Sequence, residues 1–368
     1  MKNIAINILK FLVFLGVGLV ILYFVYQNQN EAYQAQCALD GVAAADCSLM
    51  QKVIADFKSV RIPWLLAAFA SYVMSNVSRA IRWQMLLKSL GRPVRFINSF
   101  LATMLGYFAN LGLPRLGEVL RPLSMTKYEK IPVEKVLGTV VVDRTMDVIS
   151  LLLIISIAFL LEFDTLWGYL YENMASDGGN LLTNPIVLSV LGLGGLTAIL
   201  VIVFRKKIQA TAFYKKIEQV LLGFWDGILS VKKLDKPGWF IFHSVIIWLG
   251  YFLMFYCYLP TFPPTAHLGP IVALMAFVFG TFGILIPSPG GMGSYHFLVI
   301  AALTLYGVNS GDAFSSANIS FFGTHFCNIV LGLTAVIFLP IINKNYNPEP
   351  LSEDRENMDV GKKKAITV

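Results

Sequence analysis

Apolar residues gather into runs near residues 4–26, 61–87, 96–113, 136–161, 185–204, 239–259, 268–286, 295–308 and 314–342. A helix needs ~20 predominantly apolar residues to cross a ~30 Å hydrocarbon core. Most of these runs reach that length, but those starting at 96, 268 and 295 are short or broken. The first run is too long for a signal-peptide core and has no small-residue cleavage site, so it predicts a membrane span.

Polar residues between the runs set orientation, because Lys and Arg accumulate on the cytoplasmic side. Arg82, Lys88, Arg92 and Arg95 mark one cytoplasmic segment, and residues 205–236 form another. Glu162, Asp164, Glu172 and Asp177 mark an external one, as does the loop holding Cys37 and Cys47, which has no basic excess. A single crossing through 96–113 would then carry Lys127, Lys130 and Lys135 outside. A re-entrant hairpin turning near Pro114–Gly117, in "NLGLPRLGEVLRP", removes the conflict. The stretch "GILIPSPGGMGSYH" at 283–296 cannot continue as a helix either, since proline removes an amide donor and clashes with the preceding turn. It predicts a second hairpin, entering from the external face.

Two oppositely oriented broken elements are the pattern of an inverted-topology repeat, which places a substrate site where the broken helices meet near the midplane. The expected fold class is therefore an all-α polytopic membrane protein, a helical bundle with two oppositely oriented re-entrant hairpins. The expected organisation is an N-terminal helix and external loop (1–60), a transmembrane domain (61–342) and a disordered cytoplasmic tail (343–368), with both termini in the cytoplasm.

Three polar clusters interrupt the apolar pattern. Ser71, Ser75, Ser78 and Arg82 share one face of the second run, flanked by Asn76 and Arg79. Arg82 either snorkels to the interface beside Trp83 or serves a site; Arg79, one turn deeper, points to a site. In the first broken stretch Asn110 precedes the turn, and Arg115, Glu118 and Arg121 fall on a narrow face if a short helix starts near Pro114. Guanidiniums beside amides freed at a half-helix N-terminus suit a phosphate, while Glu118 also suits neutralising an arginine. In the next run Thr139, Asp143, Asp147 and Ser150 form a stripe with Arg144 alongside; carboxylates there are costly unless paired, and pairing with the hairpin arginines competes with binding a coupling proton. The second broken stretch offers Ser288, the amides around Gly290, Gly291 and Gly293, and His296. A weaker patch, Thr324, His325 and Asn328, lies in the last run.

Composition agrees with a membrane protein: of 368 residues 56% are hydrophobic and only 14% charged. The net charge of +7 reflects orientation and anionic lipid heads, and nucleic acid is not expected as a partner. Cys257 and Cys327 sit in apolar runs; Cys37 and Cys47 can pair if their loop faces an oxidising compartment. There is no HExxH, no phosphate-loop glycine pattern and no paired-cysteine metal motif, and no cofactor is expected.

The motifs "RAIRW" (Arg79–Trp83 at its charged core), "NLGLPRLGEVLR", "DRTMD" and "IPSPGGMGSYH", in that order, resemble the flippase-like family of the lysylphosphatidylglycerol synthase transmembrane region. The resemblance covers most of residues 60–340. It implies a polytopic, lipid-translocase-like domain. Some relatives fuse that domain to an aminoacyl transferase, and the stretch beyond Pro340 is too short for one, so lysyl transfer is not expected. His296 stands where the family favours an acidic residue, and Asp143 where glutamate is common.

The expected function is translocation of an anionic lipid, a phospholipid or a polyprenyl-phosphate-linked lipid, between leaflets of the cytoplasmic membrane, with no chemical step. Arg79, Arg115 and Arg121 would hold the head group, balanced by Glu118 and Asp147. A membrane-embedded enzyme with Glu118, Asp143 or His296 as base, and a scaffold for a lipid-modifying enzyme, are the alternatives. Self-association is left open.

Overall fold

The computed structural model describes residues 47–112 apart from residue 92, then 115–165, 234–286 and 291–349, with parts of 16–38 and residues 167, 168 and 231. Most of the expected first span and all of the run at 185–204 lie outside the described residues, as do Arg92, Ser288 and Gly290.

The described secondary structure is helical: α1 (Leu49–Lys58), α2 (Ile62–Lys88), α3 (Phe96–Gly112), α4 (Gly117–Glu129), α5 (Val133–Leu161), α6 (Pro237–Thr261), α7 (Pro270–Leu285), α8 (Ser294–Leu305) and α9 (Ser310–Ile342), with a 3-10 turn at Pro263–Thr265. Seven of the apolar runs map onto α2, α3 and α5–α9. Prolines at the first positions of α2, α6 and α7 start those helices, where the missing amide costs no bond. Among the described residues, α5, α6 and α9 are long and apolar enough to cross a membrane. Their outer faces stay apolar, with Leu152, Leu153, Val245, Ile337 and Ile341 exposed. Such a surface belongs in lipid.

The chain divides into two compact units, Met1–Ser150 with Leu234–Val368, and Leu151–Lys233. In the first, α2 packs most extensively on α6, α3 packs on α9 and folds back onto α4, and α7 folds back onto α8, which in turn packs on α9. The serine stripe of α2 faces α6: Ser75 donates its hydroxyl to the Ile247 carbonyl at 2.7 Å. Gly250 lies so close that a Cβ there would stand 2.8 Å from the Ser75 Cβ. In the second unit, Phe159 in the last turn of α5, Phe163 and Trp167 form a ladder of rings.

Both broken stretches turn, and each becomes a helical hairpin. Where α3 meets α4, a Cβ on Gly117 would sit 2.0 Å from the Gly106 carbonyl oxygen, so the backbones touch as only glycine permits. Where α7 meets α8, a Cβ on Gly283 would sit 2.5 Å from the Tyr295 Cα, and the Ser294 hydroxyl donates to the Gly283 carbonyl at 2.7 Å.

Two polar latches tie distant segments together. Cys37 and Cys47 form a disulfide just before α1, whose Lys52 bridges Asp56 and Asp312 at 2.7 and 2.6 Å. Burial works against the Lys52 ammonium, but Asp312 and Asp56 outweigh it and hold its pKa above the ordinary lysine value. At the other latch, fully buried Glu129 accepts from the Arg95 amide, Asn98 and Tyr346, and Asn98 and Asn343 exchange amide hydrogen bonds. The tail expected to be disordered from 343 onward thus begins docked through Asn343 and Tyr346; 350–368 lie outside the described residues.

Candidate functional site

Four arginines and two aspartates converge where α2, α4 and α5 meet. Arg79 and Arg82 come from α2, Arg121 from α4, and Asp143, Arg144 and Asp147 from α5. The three inner arginines are 0–3% exposed and Asp143 is fully buried. The spacing of Asp143 and Asp147, one turn apart, presents both carboxylates on one face, so each can serve arginines on two sides.

The carboxylate oxygens are divided between two groups of arginines. The Oδ1 atoms of Asp143 and Asp147 each accept from Arg82 Nη2 at 2.6 Å. Arg82 Nε also reaches Asp143 Oδ1, Nη1 reaches the Ser244 hydroxyl of α6, and Nη2 reaches the Asp143 carbonyl. Every nitrogen of Arg82 is bonded. The Oδ2 atoms face the other way: Asp147 Oδ2 takes Arg79 Nη1 at 2.5 Å and lies 3.5 Å from Arg144 Nη1, while Asp143 Oδ2 takes Arg121 Nη1 at 3.0 Å and lies 3.9 Å from Arg79 Nη1.

Here donors outnumber acceptors. Arg79 Nε, Arg121 Nε and Nη2, and Arg144 Nε are buried nitrogens with no hydrogen-bond partner among the described residues. An N–H removed from water without an acceptor costs on the order of 1–3 kcal/mol, more when charged. Arg121 recovers part of that by lying over the Trp83 ring, 3.8 Å from guanidinium carbon to centroid. Trp83 is itself fully buried and donates to Thr139 at 3.0 Å. The cluster therefore has a saturated edge, at Arg82, and an edge at Arg79, Arg121 and Arg144 where, among the described residues, guanidinium nitrogens are left without acceptors.

The remaining expected site residues fall elsewhere or carry other tasks. Helix α4 begins at Gly117, so Arg115 lies before it in a left-handed turn (φ 67°), exposed, and does not join Arg121 on a helical face. The start is shifted because the Gly106–Gly117 contact closes the hairpin there. The Asn110 side-chain carbonyl accepts from the Gly117 amide at 2.7 Å, which fixes the turn. Glu118 is half-exposed and approaches Arg144 at 3.9 Å. Arg82 and Trp83 are in the protein interior and do not snorkel. In the second hairpin Gly291 has φ 81°, and buried His296 packs against the Tyr295 and Phe321 rings. Beside that hairpin lies a cavity of ≈60 Å³ lined by Phe277, Thr281, Tyr295, Phe321, Thr324 and His325 among others.

Sequence reasoning missed Ser244, the role of Trp83, and the tyrosine chain in which Tyr251 hydrogen-bonds Tyr107 and Asn76. A lone serine on an apolar helix gives no signal until the pairing of α2 with α6 is known. Trp83 beside Arg82 was legible only as an interfacial anchor.

Fold and site together define a polytopic all-α membrane protein with a buried arginine–aspartate cluster carrying excess positive charge. Residues 7–332 match the family described as the lysylphosphatidylglycerol synthase TM region, and the chain belongs to that family. It is similar to a UPF0104 membrane protein of Methanocaldococcus jannaschii, 26% identical over 161 residues. That match covers 43% of this chain and 44% of the relative, so the chain matches less than half the length of that curated relative. No solved structure matches.

Proposed function

We propose that the protein moves an anionic lipid between the leaflets of the cytoplasmic membrane, its head group held by Arg79, Arg121 and Arg144 while the acyl chains stay in the bilayer. The observation that carries this reading is the set of unpaired guanidinium nitrogens on the Oδ2 edge of the aspartate pair. Charges at bilayer depth are tolerated when paired and otherwise mark a substrate path; here the pairing is incomplete on one edge only. Arg82 holds the two carboxylates in place, and Asp143 and Asp147 keep the empty site from carrying four uncompensated charges. The two hairpins are read as re-entrant and inverted relative to each other, gating opposite faces. The basic segments at 82–95 and 205–236 support reading both termini as cytoplasmic.

The reading is of transport without chemistry, so the lipid should be recovered unchanged. Purified protein in liposomes containing a fluorescent anionic phospholipid should expose inner-leaflet probe to an impermeant quencher, and Arg121→Gln should reduce that rate at least about tenfold with the protein still folded. Equal rates for the wild type, Arg121→Gln and empty liposomes would remove the assignment.

A further inference from the structure

The charge arithmetic of the cluster narrows the ligand class, given the anion site proposed above. Four guanidiniums, Arg79, Arg82, Arg121 and Arg144, face two carboxylates, Asp143 and Asp147, which leaves two positive charges uncompensated. Glu118 stands at the rim, 3.9 Å from Arg144 with both side chains part-exposed, where water screens the pair. Among the described residues, other polar side chains near the cluster include the neutral hydroxyls of Ser244 and Tyr251 from α6 and of Tyr107 from α3, with His243 of α6 near Arg82. Among the described residues, the cluster's donors without a partner are Arg79 Nε, Arg121 Nε, Arg121 Nη2 and Arg144 Nε.

We propose that the site selects a phosphate monoester, a terminal phosphate carrying two charges and three free oxygens, over a phosphodiester head group with one charge and two free oxygens. A monoester balances the cluster and offers an acceptor to each of the three guanidiniums on the open edge. A diester leaves one charge uncompensated and at least one guanidinium without its own oxygen, and both shortfalls are costly away from water. Geometry makes the match stronger than charge alone: Arg79 and Arg121 flank Asp143 Oδ2 at 3.9 and 3.0 Å, and Arg79 and Arg144 flank Asp147 Oδ2 at 2.5 and 3.5 Å. The three guanidiniums thus converge on the Oδ2 atoms of the two aspartates, and guanidinium forks suit planar sharing of phosphate oxygens.

The test compares dioleoyl phosphatidic acid with dioleoyl phosphatidylmethanol, which differ by one methyl ester, binding to the purified full chain in detergent at pH 8, where a phosphate monoester is largely doubly ionised. Phosphatidylcholine is the control. Phosphatidic acid should bind about tenfold more tightly or better. Arg144→Gln should shrink that ratio to about threefold or less, and Arg115→Ala, outside the cluster, should leave it unchanged. Equal affinity for the two acidic lipids, both above the control, overturns the monoester preference and leaves the anion site standing. If neither exceeds the control, the anion site and this inference fall together. Adding glycerol 3-phosphate separates the sources of the group: displacement only at concentrations far above that of phosphatidic acid supports a lipid monoester. Displacement at matching concentrations keeps the monoester rule but overturns the lipid as its carrier.

Discussion

The two helical hairpins close in the same way and carry opposite chemistry. In both, a glycine on one arm lets the backbones touch, Gly106 against Gly117 in the first and Gly283 against Ser294 and Tyr295 in the second. Each has a side-chain staple across its turn, Asn110 to the Gly117 amide and Ser294 to the Gly283 carbonyl. Beyond the turn they part: the first sends Arg121 into the charged cluster, while the second buries His296 and Tyr295 against Phe321 beside a small, mostly apolar cavity. Breaking a helix supplies a hinge or a seat in a membrane, but the charge it presents decides which. Among the described residues, the first hairpin brings a guanidinium to the cluster and the second brings aromatic rings to the cavity.

Steric closure should respond strongly to mutation, and equally in both hairpins. Gly117→Ala and Gly283→Ala each force a Cβ onto backbone atoms, at an expected cost of about 3 kcal/mol or more, read as loss of monodisperse protein on size exclusion. A tolerant Gly283→Ala would mean that the second hairpin is held differently from the first.

Comparable in size, but confined to the first hairpin's side, is the saturated edge of the cluster. Asp143→Asn leaves Arg82 and Arg121 without their shared carboxylate and should destabilise by about 3–5 kcal/mol, seen as a lowered Tm in detergent. Arg82→Gln should fall in the same range. By contrast, Arg121→Lys keeps a charge but loses the fork and the stacking on Trp83; it should weaken anionic-lipid binding about tenfold with a smaller change in Tm. A larger loss of stability from Arg121→Lys than from Arg82→Gln would reverse the division into structural and ligand-facing arginines.

The smallest effects should come from residues outside the cluster. Arg115→Gly relieves a left-handed turn and removes an exposed charge, so stability should change by less than about 0.5 kcal/mol and lipid binding by less than about twofold. His296→Gln should likewise leave lipid binding within about twofold, measured alongside Arg121→Lys.

Helix positions were largely legible because bilayer-length apolar runs are a strong physical signal: the runs at 61–87 and 239–259 differ from α2 and α6 by at most two residues at either end. The turns were legible too, since proline and glycine stop helices. The aspartate stripe of α5 was readable as needing partners, because unpaired carboxylates in lipid are too costly. What the pattern could not supply was the choice of partner. Arg115 and Arg121 look alike at a spacing of six, yet a shift of about three residues in where α4 begins, from near Pro114 to Gly117, leaves one in the turn and buries the other. That shift depends on a glycine contact between α3 and α4, a tertiary fact with no local signature. Ser244 and Trp83 were hidden for the same reason, their roles arising from how α2, α4 and α6 pack.

The most direct test of the central claim is an experimental structure of the full chain with phosphatidic acid bound in nanodiscs. The account predicts the phosphorus within about 4–5 Å of the guanidinium groups of Arg79, Arg121 and Arg144, with Arg82 still clasping both aspartates. A head group seated instead at the second hairpin's turn, around Gly291 and Ser294, with the arginine edge left untouched, would contradict it.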